Sequence, residues 1–172
     1  MLDWVIHQIG VGVLIVIFAL AVWHKLRHYP RFRAAVAAYD MVPGAFVAWF
    51  AALIVILELL TVAFLAIHEG RGTLLAFALF GTYTLAMGLN MARGRAEIDC
   101  GCGDLPIPLS RWLLLRNVVL MGLALLAARH PDAEGSPGGW VLVGAGIILA
   151  TGLYLIIEQL LANLPYVRGR YG

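Results

Sequence analysis

Residues 43–67 read PGAFVAWFAALIVILELLTVAFLAI, a stretch in which Glu58 is the only charged side chain. A membrane-spanning helix needs about 20 mostly apolar residues, and this stretch meets that requirement. Four further segments also meet it, at about 5–23, 73–91, 111–129 and 139–162. The sequence therefore predicts an all-α, polytopic transmembrane bundle of about five helices, built as a four-helix core plus one.

The overall composition supports a membrane protein with a single domain, residues 1–172. Hydrophobic residues make up 62% of the chain and charged residues 13%, whereas a soluble domain carries about 25% charged residues. A small core cannot hold this excess of apolar side chains, so many of them must face the lipid bilayer. The net charge of +2 gives no indication of a nucleic-acid partner. The first segment lacks the basic start of a signal peptide, so we expect a retained helix in a multi-pass protein of the bacterial inner membrane.

Two loops are longer than the turns between the other segments. Residues 24–42 contain Lys25, Arg27, Arg31 and Arg33, followed by the small apolar residues 34–38. This pattern predicts an amphipathic half-helix that lies at the membrane interface after the first span. Residues 92–110 contain both cysteines of the chain, and Ser110 is a suitable N-cap for the helix that follows.

The sequence DCGCGD at residues 99–104 is the strongest indication of chemistry. Cys100 and Cys102 can form a disulfide only if the backbone bends between them, and Gly101 permits such a bend. So small a ring is expected to be strained, and strained, exposed disulfides are the labile and catalytic ones. The alternatives are two incidental thiols, or a soft metal ion, which prefers more ligands than two thiolates. We therefore take Cys100 and Cys102 as candidate catalytic residues and predict no metal site.

Three charged residues fall well inside the apolar segments, namely Glu58, Arg116 and Glu158. An ionisable group at such a position usually has a partner or a function. At a rise of about 1.5 Å per residue, Glu58 and Tyr83 lie at similar depth, so we expect a neutral Glu58 to hydrogen-bond Tyr83; the alternative is proton transfer coupled to redox chemistry. Arg116 can extend to the interface or, with Asn117, bind a quinone carbonyl beside the cysteines and favour a thiolate there. Glu158 is expected to face the lipid headgroups.

The sequence resembles the methylamine utilisation protein MauE family, within the wider DoxX-like group of small membrane proteins. The resemblance extends from about residue 10 to residue 130. It is carried by HKL at 24–26, Phe32, Tyr39, Pro43, ELL at 58–60, DCGCG at 99–103, LSRW at 109–112 and RN at 116–117. Gly103 directly follows Cys102, whereas the family usually has a Phe between the second Cys and the next Gly.

The resemblance implies a role in disulfide formation. MauE is associated with maturation of the disulfide-rich small subunit of periplasmic methylamine dehydrogenase, beside a thioredoxin-like partner, MauD. The helical layout also resembles DsbB and the bacterial vitamin K epoxide reductase homologues, which bundle helices around a quinone. These resemblances imply a thiol–disulfide exchange component that acts on an exported, disulfide-containing substrate, with quinone as a candidate cofactor and a MauD-like protein as partner.

Two questions stay open at this point. The chain could instead be a non-enzymatic membrane scaffold that docks a thioredoxin-fold or quinone-linked partner, or a carrier of a small molecule or metal. Two features of the sequence also disagree about the side of the membrane on which the cysteine loop lies. Basic residues cluster on the face of that loop, which favours the cytoplasm, whereas disulfide chemistry persists outside the cytoplasm. We expect the cysteine loop on the periplasmic side.

Overall fold

The computed structural model describes residues 2–67, 69–101, 107–129 and 135–171. Within these ranges the chain forms six α-helices and no named strand: α1 is Leu2–Arg27, α2 is Tyr29–Ala38, α3 is Val47–Ile67, α4 is Glu69–Ala92, α5 is Arg111–Ala127 and α6 is Pro137–Tyr171. A short 3₁₀ helix, Gly44–Phe46, leads into α3. The prediction of an all-α helical bundle is confirmed.

Four of the described helical segments are long and apolar enough to cross a membrane: Leu2–Arg27, Gly44–Ile67, Gly70–Ala92 and Pro137–Asn163. The remaining long helix, α5, has 17 residues, at the lower limit of about 17 to 25 for a spanning helix. The chain is thus a multi-pass membrane protein. Apolar side chains cover much of its outer surface, as on α6, where Ile148 and Leu149 are 76% and 75% exposed.

The helices pack around a core that lies between α1, α3, α4 and α5. Leu14, Phe18, Leu65, Phe80 and Leu120 form the centre of this core. The helix α1 contacts α3, α5 and α6, while α4 packs against both α3 and α5. A Cβ atom at Gly146 of α6 would clash with the side chain of Ile9 in α1. The glycine therefore allows α1 and α6 to approach closely, as small residues typically do between helices in lipid.

The end of α1 differs from the sequence prediction. The apolar run ends at Trp23, but the helix continues to Arg27. Lys25 therefore belongs to the last turn of α1 and not to a loop, and its side chain is buried. The ammonium group of Lys25 therefore lies inside the helix bundle.

The predicted half-helix after the first span is present as α2, which lies within residues 24–42. Pro30 lies in its first turn, where the missing N–H of proline costs nothing. Phe32 and Ala35 are buried because α2 packs against α3, whereas Arg33 is exposed. One face of α2 is therefore covered by the protein itself. The predicted N-cap of α5 is confirmed, since Ser110 Oγ accepts a hydrogen bond from Leu113 N–H at 3.4 Å.

Candidate functional site

The cysteine loop is a short antiparallel hairpin whose two arms are residues 98–101 and 107–109. The N–H of Cys100 donates to the carbonyl of Ile107 at 3.0 Å, and the N–H of Leu109 donates to the carbonyl of Ile98 at 3.3 Å. Asp99 Oδ1 also accepts from the N–H groups of Gly101 and Ile107, at 3.2 and 3.3 Å. These bonds fix the backbone on both sides of Cys100. Cys102 lies outside the described residues.

The hairpin docks against α2. Arg31 of α2 forms an ion pair with Asp99 at 3.0 Å, and the hydroxyl of Tyr39 donates to the carbonyl of Cys100 at 3.4 Å. Gly101 has a φ of +70°, and a Cβ at this position would lie 3.2 Å from the Cβ of Ala35. Gly101 therefore supplies both a left-handed backbone and a close approach to α2. The sequence pattern predicted a bend at Gly101, and the structure has one.

Cys100 lines a cavity of about 450 Å³ between α2, α3, α4 and the hairpin, which we call the cysteine-side cavity. The Cys100 residue is 8% exposed. Most of the lining is apolar and includes Val36, Leu53, Leu57, Leu79 and Met87. Lys25 and Tyr83 are among its polar lining residues. Such a mostly apolar cavity with a few polar groups is typical of a site for a small molecule.

Glu58 lies at the centre of a buried polar cluster that joins α1, α3 and α4. The hydroxyl of Tyr83 donates to Glu58 Oε1 at 2.8 Å, which confirms the predicted hydrogen bond. The Nζ of Lys25 lies 2.6 Å from the same oxygen, and the two side chains are 6% and 1% exposed. Lys25 is thus a second partner of Glu58, which the sequence prediction did not include, and the neutral state of Glu58 stays a prediction. We call these three residues the Lys25–Glu58–Tyr83 cluster.

A second cavity, of about 370 Å³, lies between α1, α3, α4, α5 and α6 and is called the central cavity here. All three members of the Lys25–Glu58–Tyr83 cluster line it, together with Arg116, Asn117, Glu158 and His24. Lys25 and Tyr83 thus line both cavities. Two buried polar atoms of the lining have no hydrogen-bond partner among the described residues, namely Glu58 Oε2 and Asn117 Nδ2.

Arg116 and Glu158 form an ion pair across α5 and α6. Arg116 also donates to Asn117 Oδ1 through Nε at 3.3 Å and Nη2 at 3.2 Å. Its side chain is 9% exposed and that of Glu158 is 17% exposed. Arg116 therefore pairs inside the bundle and does not extend to the interface, which was one of its two predicted alternatives, and the expectation that Glu158 faces the headgroups was wrong. Arg116 and Asn117 line the central cavity, whereas Cys100 lines the cysteine-side cavity, so the structure separates these two predicted parts of the site.

The comparisons with known proteins agree with the resemblance in the sequence. The family described as methylamine utilisation protein MauE matches residues 2–130. A MauE from Methylophilus methylotrophus is 33% identical over 156 residues, which cover 88% of this chain and 77% of that protein. The MauE of Paracoccus denitrificans is 34% identical over 79% of this chain and 78% of its own length. That of Paracoccus versutus is 31% identical over 93% of this chain and 89% of its own length. The chain belongs to the MauE family of methylamine utilisation proteins. No solved structure matches it.

The segment that matches the MauE family runs from α1 to α5. It contains the cysteine hairpin, the Lys25–Glu58–Tyr83 cluster and Arg116 with Asn117. Glu158, which pairs with Arg116, lies on α6 beyond this segment.

Lys25 is the polar residue of the site that sequence reasoning missed. It lies two residues after the end of an apolar run and precedes Arg27, a pattern that is typical of a helix end at the interface. A signal was nevertheless present. Leu14, Phe18 and Val22 are buried in α1 at spacings of four residues, and Lys25 follows three residues after Val22, which places it on the same helix face.

Proposed function

We propose that this protein serves methylamine utilisation as a membrane component of thiol–disulfide exchange, which helps to form disulfides in an exported protein together with a thioredoxin-fold partner. The observation that carries this proposal is the position of Cys100. A hairpin holds it on the wall of an apolar cavity inside a membrane bundle, and the second cysteine of the chain follows two residues later. The membership in the MauE family supports the same role.

The proposed exchange is a two-electron reaction. A thiolate of the partner attacks one sulfur of a Cys100–Cys102 disulfide, the other cysteine leaves as a thiolate, and a mixed disulfide forms. The second thiol of the partner then attacks this mixed disulfide. The partner leaves as a disulfide, and Cys100 and Cys102 remain as two thiols. The partner has lost two electrons and the cysteine pair has gained them.

The two cysteines have different tasks in this proposal. Cys100 is largely buried and lines the cysteine-side cavity, where a folded protein cannot reach it. We therefore assign the exchange with the partner to Cys102, and the transfer of electrons into the membrane to Cys100. This division follows from the burial of Cys100 alone.

The cysteine-side cavity suits a membrane-soluble electron acceptor of the quinone class. Its lining is mostly apolar, and the Nζ of Lys25 provides a cationic donor on its wall. An ammonium has three N–H donors, so Lys25 can bond Glu58 and a carbonyl oxygen in the cavity together. A quinone supplies the capacity to take up two electrons and two protons. Since Cys100 lines this cavity, we place the acceptor here and not beside Arg116 and Asn117, which line the central cavity.

Single-cysteine variants test the division of tasks. The Cys100→Ser and Cys102→Ser proteins would be purified in phosphatidylcholine nanodiscs, reduced, and mixed with the disulfide form of the MauD-like protein of the same organism, so that the remaining thiolate can attack the disulfide of the partner. We expect Cys100→Ser to form a mixed disulfide with the partner, and Cys102→Ser to form at least tenfold less, both measured by non-reducing gel electrophoresis and mass spectrometry. Binding of the partner that survives in the Cys100→Ser/Cys102→Ser double variant, with no mixed disulfide in either single variant, would support the scaffold alternative instead.

A further inference from the structure

We propose that the Lys25–Glu58–Tyr83 cluster conducts protons from the central cavity to the cysteine-side cavity. This inference rests on the proposed function, because it supplies the protons that the reduction of a quinone-class acceptor consumes. In this inference Glu58 passes protons to Lys25 and Tyr83. The central cavity, which is lined by no cysteine of the described residues, is the source of these protons.

The geometry forms a continuous connection between the two cavities. Lys25 and Tyr83 line both of them. Each also contacts Glu58 Oε1, at 2.6 Å from Nζ and at 2.8 Å from the hydroxyl. These distances are within the range of hydrogen bonds, along which protons transfer. A proton donated by either residue into the cysteine-side cavity can therefore be replaced from Glu58.

The second oxygen of Glu58 connects the cluster to the central cavity. Glu58 lines this cavity, and its Oε2 is buried without a hydrogen-bond partner among the described residues. Such an atom is costly in a structure unless it has a partner or a function. Beside the cluster itself, the described ionisable groups that line the same cavity are His24 of α1, Arg116 of α5, and Tyr154 and Glu158 of α6. The central cavity therefore offers a polar surface from which Glu58 can be reprotonated.

The proton balance explains why such a route is needed. Oxidation of the Cys100 and Cys102 thiols to a disulfide releases two electrons and two protons, and a quinone-class acceptor takes up two of each. Cys102, to which we assign the exchange with the partner, gives its proton to water, whereas Cys100 lies on the wall of the cysteine-side cavity. The acceptor lies in an apolar cavity, where bulk water does not supply protons. Lys25 and Tyr83 hold protons at the wall of this cavity, and Glu58 takes up protons one at a time from the central cavity and passes them to these two groups.

The test compares Glu58→Gln with the matched control Thr61→Val. Thr61 lies one turn further along α3, is also fully buried, and its hydroxyl donates to the carbonyl of Leu57 at 2.8 Å. Each full-length protein, in phosphatidylcholine nanodiscs, would be reduced and then mixed with decylubiquinone. The rate of disulfide formation would be followed in H₂O and in D₂O, and the equilibrium of the cysteine pair with a glutathione buffer would be measured separately.

We expect Glu58→Gln to slow reoxidation by decylubiquinone on the order of 10²-fold, the lower end of the range for general acid catalysis, and to leave the glutathione equilibrium within twofold of wild type. Thr61→Val should reoxidise at the wild-type rate. Infrared difference spectra between the oxidised and the reduced wild-type protein should show a carboxyl band, which Glu58→Gln removes and Thr61→Val retains. This readout does not depend on turnover.

Three results would overturn the inference. The first is a folded Glu58→Gln protein that reoxidises at the wild-type rate. The second is the same carboxyl band in the spectra of Glu58→Gln and wild type. If Glu58→Gln does not fold, the double variant Lys25→Met/Glu58→Gln decides, because it leaves no buried charge unpaired, and a wild-type rate of reoxidation in this variant is the third result. A wild-type cysteine pair that equilibrates neither with glutathione nor with decylubiquinone would instead overturn the proposed function.

Discussion

Lys25→Met tests whether the buried ion pair holds the bundle together as the structure indicates. The substitution removes the ammonium but keeps an unbranched apolar side chain in the last turn of α1. Glu58, 1% exposed on its side chain, then keeps the hydrogen bond from Tyr83. Removal of one partner from a buried ion pair costs about 3–5 kcal/mol, because the other charge stays buried without compensation. The Tyr83 hydrogen bond remains, so we expect a loss near the lower limit, about 3 kcal/mol.

The double variant Lys25→Met/Glu58→Gln separates the cost of an unpaired charge from the value of the pair. A glutamine at position 58 is neutral and can still accept from the hydroxyl of Tyr83. Replacement of a buried ion pair by neutral groups is often neutral or stabilising. We therefore expect the double variant to recover most of the loss and to unfold within about 1 kcal/mol of wild type.

Equilibrium unfolding by SDS in mixed micelles would measure both effects, with Arg33→Met as a control. Arg33 is an exposed basic residue on α2, and its loss should leave the unfolding midpoint unchanged. The reasoning fails if Lys25→Met unfolds at the wild-type midpoint. It also fails if the double variant is less stable than Lys25→Met, since the energies of the two positions would then add and not compensate.

Three further predictions concern the cavity, the hairpin and the topology. Ala86→Phe narrows the cysteine-side cavity and should weaken the binding of decylubiquinone, so we expect it to slow reoxidation by this acceptor at least tenfold. The matched Ala21→Phe in the central cavity should leave the affinity for decylubiquinone unchanged. Equal losses of affinity in the two variants would refute the placement of the acceptor in the cysteine-side cavity. Gly101→Ala should cost about 1–2 kcal/mol, because an L-residue is strained at positive φ, and unchanged stability would argue against the bend. In intact cells, an impermeant maleimide should label reduced Cys100 or Cys102 from outside, and labelling only after lysis would place the hairpin in the cytoplasm.

Much of the fold could be predicted because the bilayer imposes a length and a composition on each helix. The apolar segments gave the long helices, and Ser110 gave the start of α5. The hydrogen bond between Glu58 and Tyr83 could also be predicted, since both residues lie on helices of regular rise and their depths follow from counting. These features depend on one helix at a time, or on two helices joined by a short turn.

The features that were missed depend on which helices are neighbours. Lys25 reaches Glu58 because α1 packs against α3 and continues beyond its apolar run. Arg116 meets Glu158 because α6 crosses near α5. Hydropathy says nothing about the rotation of a helix about its axis or the identity of its neighbours. Lys25 and Glu158 were therefore assigned to the interface, and Arg116 was left with two alternatives, the interface or a site beside the cysteines. An acidic residue inside an apolar segment is expected to have a partner, so Glu58 itself was an indication that a basic residue lies beside it.

Stability alone does not account for the Lys25–Glu58 pair. A glutamine at position 58 could bond Tyr83 and join α3 to α4 without burying a charge, and burial of a pair costs several kcal/mol of desolvation per ion before any attraction is gained. The pair is therefore weak evidence for a structural clasp and stronger evidence for a task that requires ionisable groups. The Lys25→Met/Glu58→Gln protein distinguishes these two interpretations. A clasp predicts that this stable variant still turns over, whereas proton transfer through the cluster predicts a stable protein whose cysteine pair exchanges with glutathione but is reoxidised slowly by the acceptor.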